Sequence, residues 1–331
     1  MTRLGIAVSG GPNPSEIVDL VTLAESLGYE SAWVAEGHGG DQFSVLTGCA
    51  MRTSSIQLGT AISSVYVRSI PTIAMAAATV DDLSNGRFIL GLGSSHKVQV
   101  VPEHGVEYAK PITRLRESVE IIRMLLQTGQ AQFDGETLKI ENFDLWFTPR
   151  RPDIPIYAAA VFPKMMAVCG EIADGIILTR STLKTGAEVK ARLAEGAKIA
   201  GRDPSSIAIT SLLPTAVADN RQDALAVMRP GLAFYAGFFP RYNQLIAAHG
   251  FAEEAAAIAT AWAKGDRAGA ERLVSDAMID ATSIVGTPEQ CRERLEAYRQ
   301  SGIDLPIISP FARGANAKAT FEAAIRACAP T

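Results

Sequence analysis

The sequence predicts an α/β protein built as a closed (β/α)8 barrel, and three observations predict it. Eight short apolar runs recur along the chain, and each is followed by a segment with helical spacing. No linker rich in Pro, Gly or Ser divides the 331 residues, so residues 1–331 read as a single barrel domain. Hydrophobic residues make up 47% of the chain, enough for a large core. A doubly wound sheet is the competitor, and eight units without a linker favour the barrel.

The elements follow in order. Arg3–Val8 is a buried strand; SGGPNP turns into a helix over Ser15–Leu27, with Pro14 at its start and Gly28 at its stop. Ser31–Glu36 is the second strand, and a helix over Phe43–Arg52 follows. Ile56–Ser63 is the third strand; Pro71 then opens a helix of small residues that Asn85-Gly86 ends. Arg87–Gly93 is the fourth strand. Thr113–Gln127 is an amphipathic helix with Leu115, Val119, Ile122 and Leu126 on one side.

The rhythm pauses at Gly129, and residues 129–152 read as an inserted hairpin after the fourth barrel helix. It resumes with strands at Ile154–Ala160 and Gly175–Thr179, each followed by a helix, and a seventh strand at Ser205–Val217. A helix starts near Arg221. Residues 236–275, after strand 7, form a second, helical insertion whose Phe238, Phe239, Tyr242 and Trp262 would cover the barrel mouth, with a plain packed lid or a subunit contact as the alternative. A helix from Thr287-Pro288, the eighth strand at Asp304–Pro310 and a last helix over Ala315–Ala327 complete the count.

Composition narrows the partners. The net charge is −4 and no basic run is present, which argues against nucleic acid. No apolar run approaches the length needed to span a membrane, and the N-terminal apolar stretch is too short for a signal peptide, so a cytoplasmic protein is expected. Cys49, Cys169, Cys291 and Cys328 are scattered and read as buried thiols in a reducing compartment; no metal spacing is present.

In such barrels the chemistry lies in the loops that follow the strands. His38 and His96 both fall there, where a proton donor or ring-contacting group is placed; His104 and His249 lie farther along. Glu36 and Asp41 form an acid pair whose separation the sequence does not give. Gly-Leu-Gly-Ser-Ser-His is a weak dinucleotide signal, since His96 stands where a third glycine is needed. As a strand-end loop, Gly93, Ser94, Ser95 and His96 suit a polar ring edge or a phosphate; a plain turn is the other reading. Ala160, Val161, Phe162, Pro163 and Lys164 form a helix start with a lysine, and Thr179 and Arg180 come next round the barrel, which together suit an anion, with solvated rim charges as the alternative.

Taken together, GIAV, LAESLGYESAWVAE, IQLGTAIS, PTIAMAAATVDDLSNGRFILGLGSSHK, AVCGEIADGIILT and VGTPEQCRERLEAYRQSGID resemble the luciferase-like flavin and deazaflavin oxidoreductases across nearly the whole chain, within them the branch of coenzyme F420-dependent methylenetetrahydromethanopterin reductases. The resemblance implies a (β/α)8 barrel with insertions and coenzyme F420 at its mouth. It implies a non-prolyl cis peptide at Ala61 and Ile62 behind the coenzyme ring, contacts from Gly93, Ser94, Ser95 and His96, and a phosphate side made by Ala160–Lys164 with Thr179 and Arg180. The implied activity is hydride transfer between F420 and a small organic substrate, with His38 or Glu36 delivering the proton and His96 touching ring or substrate. An FMN-dependent monooxygenase using O2 and a non-catalytic cofactor-binding protein are the alternatives. A homodimer is expected. One departure stands out: the pterin reductases carry a glutamate near the end of strand 1, and Ala7 occupies that position here. An alanine cannot protonate a pterin intermediate, so a different substrate is expected.

Overall fold

A computed structural model of the protein describes residues 3–8, 10–312 and 314–330. Its strands are β1 (Gly5–Val8), β2 (Ser31–Val34), β3 (Gln57–Thr60), β4 (Ser63–Ser64), β5 (Phe88–Gly93), β6 (Gln130–Asp134), β7 (Lys139–Asp144), β8 (Ile156–Ala159), β9 (Gly175–Thr179), β10 (Ala208–Val217), β11 (Ile284–Gly286) and β12 (Leu305–Pro310). Eight of them close a parallel ring in the order β1-β2-β3-β5-β8-β9-β10-β12, and β12 pairs back to β1 through Gly5 with Ile307 and Ile6 with Ile308. The fold is the expected (β/α)8 barrel.

Local chemistry explains most boundaries. The helix Pro14–Ser26 begins with a capping box between Asn13 and Glu16, and Pro288–Gln300 with one between Thr287 and Gln290. Gly286, just before, has φ 142°, and an added Cβ would lie 2.2 Å from Gln290 Oε1, so the VGTPEQ motif is one capping device. The DDLSNGR stretch, Asp81 to Arg87, works at the opposite end of the barrel from the mouth. Asp81 is fully buried against Arg151, and Arg87 donates to the carbonyls of Ile56, Ala50, Thr53 and Ser84. It anchors the start of β5 and leaves FILGLG free to run to the rim.

The interior of the ring is filled by Ala7, Trp33, Ile89, Ile177, Leu305 and Ile307. Trp33 fits because Gly59 beside it has no side chain; a Cβ there would lie 2.4 Å from the indole. A larger apolar layer joins the barrel to its helices, and a separate cluster of Leu225, Met228, Leu232, Ile246, Ile258 and Met278 lies under the segment after β10.

One local expectation is corrected, and two elements appear that were not expected. The seventh strand starts at Ala208, because Asp203 caps a short 3-10 turn over Pro204–Ser206. The segment Lys97–His104 is helical despite Pro102, and β11 adds to β10 outside the ring, too short at three residues to read from its pattern. β6 and β7 pair antiparallel within the 129–152 stretch, and helices Pro240–Ile246, Ala252–Ala263 and Arg267–Arg272 occupy most of 236–275.

Candidate functional site at the barrel mouth

The segment after β3 leaves the ring as a bulge over Ala61–Ser64 and is held from both sides. Ala61 N donates to Val34 O at 2.8 Å, and Gln42 Nε2 donates to Val34 O at 2.6 Å and Ile62 O at 3.1 Å. Ser64 N donates to Glu36 Oε2 at 2.7 Å, Ser63 Oγ to the same oxygen at 3.3 Å, and Arg68 pairs with both Glu36 and Asp41. The peptide bonds of the described residues are all trans, so the expected cis bond between Ala61 and Ile62 is corrected; the trans bulge already satisfies its backbone groups through Val34 and Gln42. Burial works to raise the Asp41 carboxyl, but Arg68 and Ser44 outweigh it and bring the group down to about 2.

Ile62, Ala61, Ala159 and Leu212 pack at the top of the barrel interior. Gly93, the last residue of β5, lies against Ile62: a Cβ there would be 2.7 Å from Ile62 Cδ1. The result is a floor of small and apolar groups at the C-terminal end of the strands.

Beyond Gly93, Ser95 adopts a left-handed φ of 53°, and His96 caps the helix Lys97–His104. The His96 ring packs on Phe239 and Tyr242, each 4.8 Å away between centroids. Burial and then the nearby Arg241 charge pull its pKa down to about 4. It is therefore neutral at physiological pH, a ring that can donate and accept a hydrogen bond but carries no imidazolium proton to transfer. Arg241 itself lies over the Phe162 ring at 5.5 Å.

Arg180 follows the end of β9 with φ 52°, again left-handed, and its side chain is buried, with 4% of the residue exposed. The guanidinium lies 3.9 Å from the centre of the Tyr235 ring. Its Nε and Nη1 are buried and have no hydrogen-bond partner among the described residues. Burial lowers its pKa from the ordinary value. Two side chains not expected to hold strained backbone, Ser95 and Arg180, thus do so on the same rim, where strain concentrates at sites.

The structure gathers His96, Phe239, Tyr242, Tyr235 and Arg180 into one aromatic and cationic seam, and sets Ile62 against Gly93 and Phe162 against Arg241. Ser94, Val161 and Thr179 are half-buried, Ala160 is buried, and Pro163 and Lys164 are exposed at the start of the helix Pro163–Ile172. His38 turns elsewhere: its ring is 81% exposed and Nε2 lies 3.3 Å from Glu103 Oε2. Both Glu36 oxygens are occupied by Arg68 and the two serines, which makes it a brace for the bulge. Ser9, at the end of β1, lies outside the described residues. Arg68, Gln42, Tyr235 and Arg241 escaped the sequence reading. The aromatic run FYAGFFPRYN was a visible signal for the last two; nothing local marks Arg68 or Gln42. Among the described residues, no cluster of three His, Cys, Asp or Glu could hold a metal, and no helix is long and apolar enough to cross a membrane.

A family model described as luciferase-like monooxygenase matches residues 1–305, and the chain belongs to that family. The 5,10-methylenetetrahydromethanopterin reductase of Archaeoglobus fulgidus is 32% identical over 294 residues, which cover 87% of each chain. The solved structure of the coenzyme F420-dependent tetrahydromethanopterin reductase from Methanopyrus kandleri superposes with a TM-score of 0.85 at 28% identity, covering 98% of this chain and 97% of the other. An F420-dependent secondary alcohol dehydrogenase in complex with an F420-acetone adduct shares the fold, with a TM-score of 0.78 at 20% identity over 99% of both chains.

Proposed function

We propose that this enzyme is an oxidoreductase that binds coenzyme F420 at the barrel mouth and acts on a small organic molecule lying against it. The observation that carries the reading is Arg180, a buried guanidinium at the C-terminal rim whose Nε and Nη1 have no hydrogen-bond partner among the described residues. A cation so placed suits the acidic phosphate-bearing tail of a deazaflavin coenzyme. The floor of Ala61, Ile62, Gly93 and Ala159 suits the flat ring. When bound, the coenzyme supplies two-electron hydride chemistry.

The chain's own residues hold and shield the reactants. Ile62, braced by Gln42 and through Glu36 and Arg68, backs the ring; Arg180 takes the anion; Phe162 and Lys164 border the same side. Neutral His96 offers a ring nitrogen to coenzyme or substrate, and the aromatic cover of Phe239 and Tyr242 excludes water. Ala7 is fully buried on β1 and presents no carboxylate, which supports a substrate other than a methylene-tetrahydropterin.

The test is binding. Protein titrated with F420 and, separately, with FMN is followed by the fluorescence of each cofactor. Micromolar F420 binding with weak FMN binding is expected; tight FMN binding without F420 binding overturns the reading in favour of a flavin monooxygenase.

A further inference from the structure

The loop after β5 carries Ser94, Ser95 and His96 at the mouth, and its backbone is not relaxed. Ser95 is left-handed at φ 53°, a conformation whose cost, for a residue with a Cβ, the surroundings must offset. The chain continues through the helix Lys97–His104 to Lys110, which is left-handed again at φ 46°. Little of this stretch is packed down. From Val101 to Lys110 every residue is exposed except Val106 and Tyr108, which are half-buried against the core.

Tyr108 closes the stretch back on its own start. Its phenol donates to the Ser95 carbonyl at 3.4 Å, and its ring stacks on Tyr66 with 4.6 Å between centroids and 24° between planes. At 3.4 Å the phenol bond is long, and the stack is what keeps the phenol aimed. Tyr66 is buried, and its own phenol donates to the Ala109 carbonyl at 2.5 Å, directly ahead of Lys110. Arg114 lies 4.8 Å from the centre of the Tyr66 ring while its Nε donates to Val65 O at 2.7 Å. One stacked pair therefore holds both left-handed joints. The pair also ties two walls of the mouth together. Tyr66 follows the bulge after β3, where its amide donates to Ser64 Oγ at 3.3 Å, and Val65 N donates to Gly93 O at 3.1 Å.

We infer that Tyr108 is a positioning residue of the mouth: braced by Tyr66, it keeps Ser95 left-handed and so fixes the Ser94–Ser95 backbone and the His96 ring in place. That those groups meet F420 rests on the reading above; the hold on Ser95 and His96 rests on the clasp itself. Tyr108 touches no reactant. Glycine enters the left-handed region without the Cβ penalty, so a glycine at position 95 makes the clasp unnecessary. This separates positioning from plain packing, because packing lost at Tyr108 is indifferent to the residue at position 95.

A double-mutant cycle on the full-length protein tests this, read by F420 titration and by the NMR lines of the histidine rings. The chain has four histidines, and His96→Phe identifies the lines of His96, which the rings of Phe239 and Tyr242 should displace from the ordinary histidine position. Tyr108→Phe, which keeps the stack and loses the phenol bond, should weaken F420 binding about fivefold and move the His96 lines toward the ordinary position. Tyr108→Leu, which loses both, should weaken binding about twentyfold. In a Ser95→Gly background, Tyr108→Phe should change F420 affinity by less than about twofold and leave the His96 lines where Ser95→Gly alone puts them. A Tyr108→Phe variant with native affinity and unmoved His96 lines overturns the positioning role, and so does an equal effect of Tyr108→Phe in both backgrounds. If Tyr108→Leu does not fold, Tyr108→Phe in the two backgrounds decides alone. If the native protein takes up no F420, the cofactor reading fails and the His96 lines still decide the clasp; F420 binding that ignores Tyr108→Phe refutes the clasp and spares the cofactor reading.

Discussion

Gly91 and Gly93 lie two residues apart on β5, and substituting each with alanine should produce different failures. A Cβ on Gly91 would meet the backbone carbonyl of Thr60 at 1.9 Å and Ile177 Cδ1 at 2.8 Å. The carbonyl cannot rotate away, so β3 and β5 must part. That disturbs the bonds, each 2.7 Å, that Thr60 Oγ1 makes with the Gly91 carbonyl and amide. A clash with backbone in the ring places Gly91→Ala among the exceptional losses, above about 4 kcal/mol. A Cβ on Gly93 instead meets the outer atoms of Ile62 at 2.7 and 2.9 Å, and that half-buried side chain can turn. Overpacking of this kind costs about 1–3 kcal/mol. For 331 residues the unfolding entropy is roughly 0.7 kcal/mol/K, so Gly93→Ala should lower Tm by about 1.5–4 °C, and Gly91→Ala by more than about 6 °C. The displaced Ile62 would also stand where the coenzyme ring is proposed to lie, so Gly93→Ala should lose F420 affinity while staying folded. Adding Ile62→Ala to Gly93→Ala should restore much of the lost stability, a coupling read by calorimetry on all four members of the cycle. Equal tolerance of both glycine substitutions, or strict additivity of the Gly93 and Ile62 changes, would refute this account of the floor.

Other outcomes follow from the same geometry. The His96 ring should titrate near pH 4 by NMR, and Arg241→Gln should move it up toward the ordinary histidine range. Because the folded state holds this histidine below its unfolded value, the unfolded chain takes up the proton first as pH falls, and stability drops between about pH 6.5 and pH 4; His96→Phe should flatten that part of the profile. If Glu36 braces the bulge, Glu36→Gln should weaken F420 binding several-fold while leaving the pH dependence of turnover in place, whereas loss of the acidic limb would mark it as the proton donor. All four cysteines are free and buried, so a thiol reagent should find none in the native protein and four after unfolding.

The alternation of eight apolar runs with capped helices was enough to determine the barrel, because each signal is local. Pro14, Pro71 and the Thr287-Pro288 pair mark helix starts from their own local chemistry, and β-strands of four to six apolar residues need no distant partner to be recognised. For the same reason the positions along the mouth, from Gly93 to His96 and from Ala160 to Arg180, could be named in advance as strand ends. What those residues do was decided only in three dimensions. Arg68, 32 positions from Glu36, turns a candidate acid into a brace. Tyr242 and Phe239 cover the His96 ring and hold it neutral, and Tyr235 covers Arg180 from 55 positions away. Charge state and hydrogen-bond supply depend on neighbours through space and on the water they exclude, and neither is written in the spacing of residues along a strand and its loop.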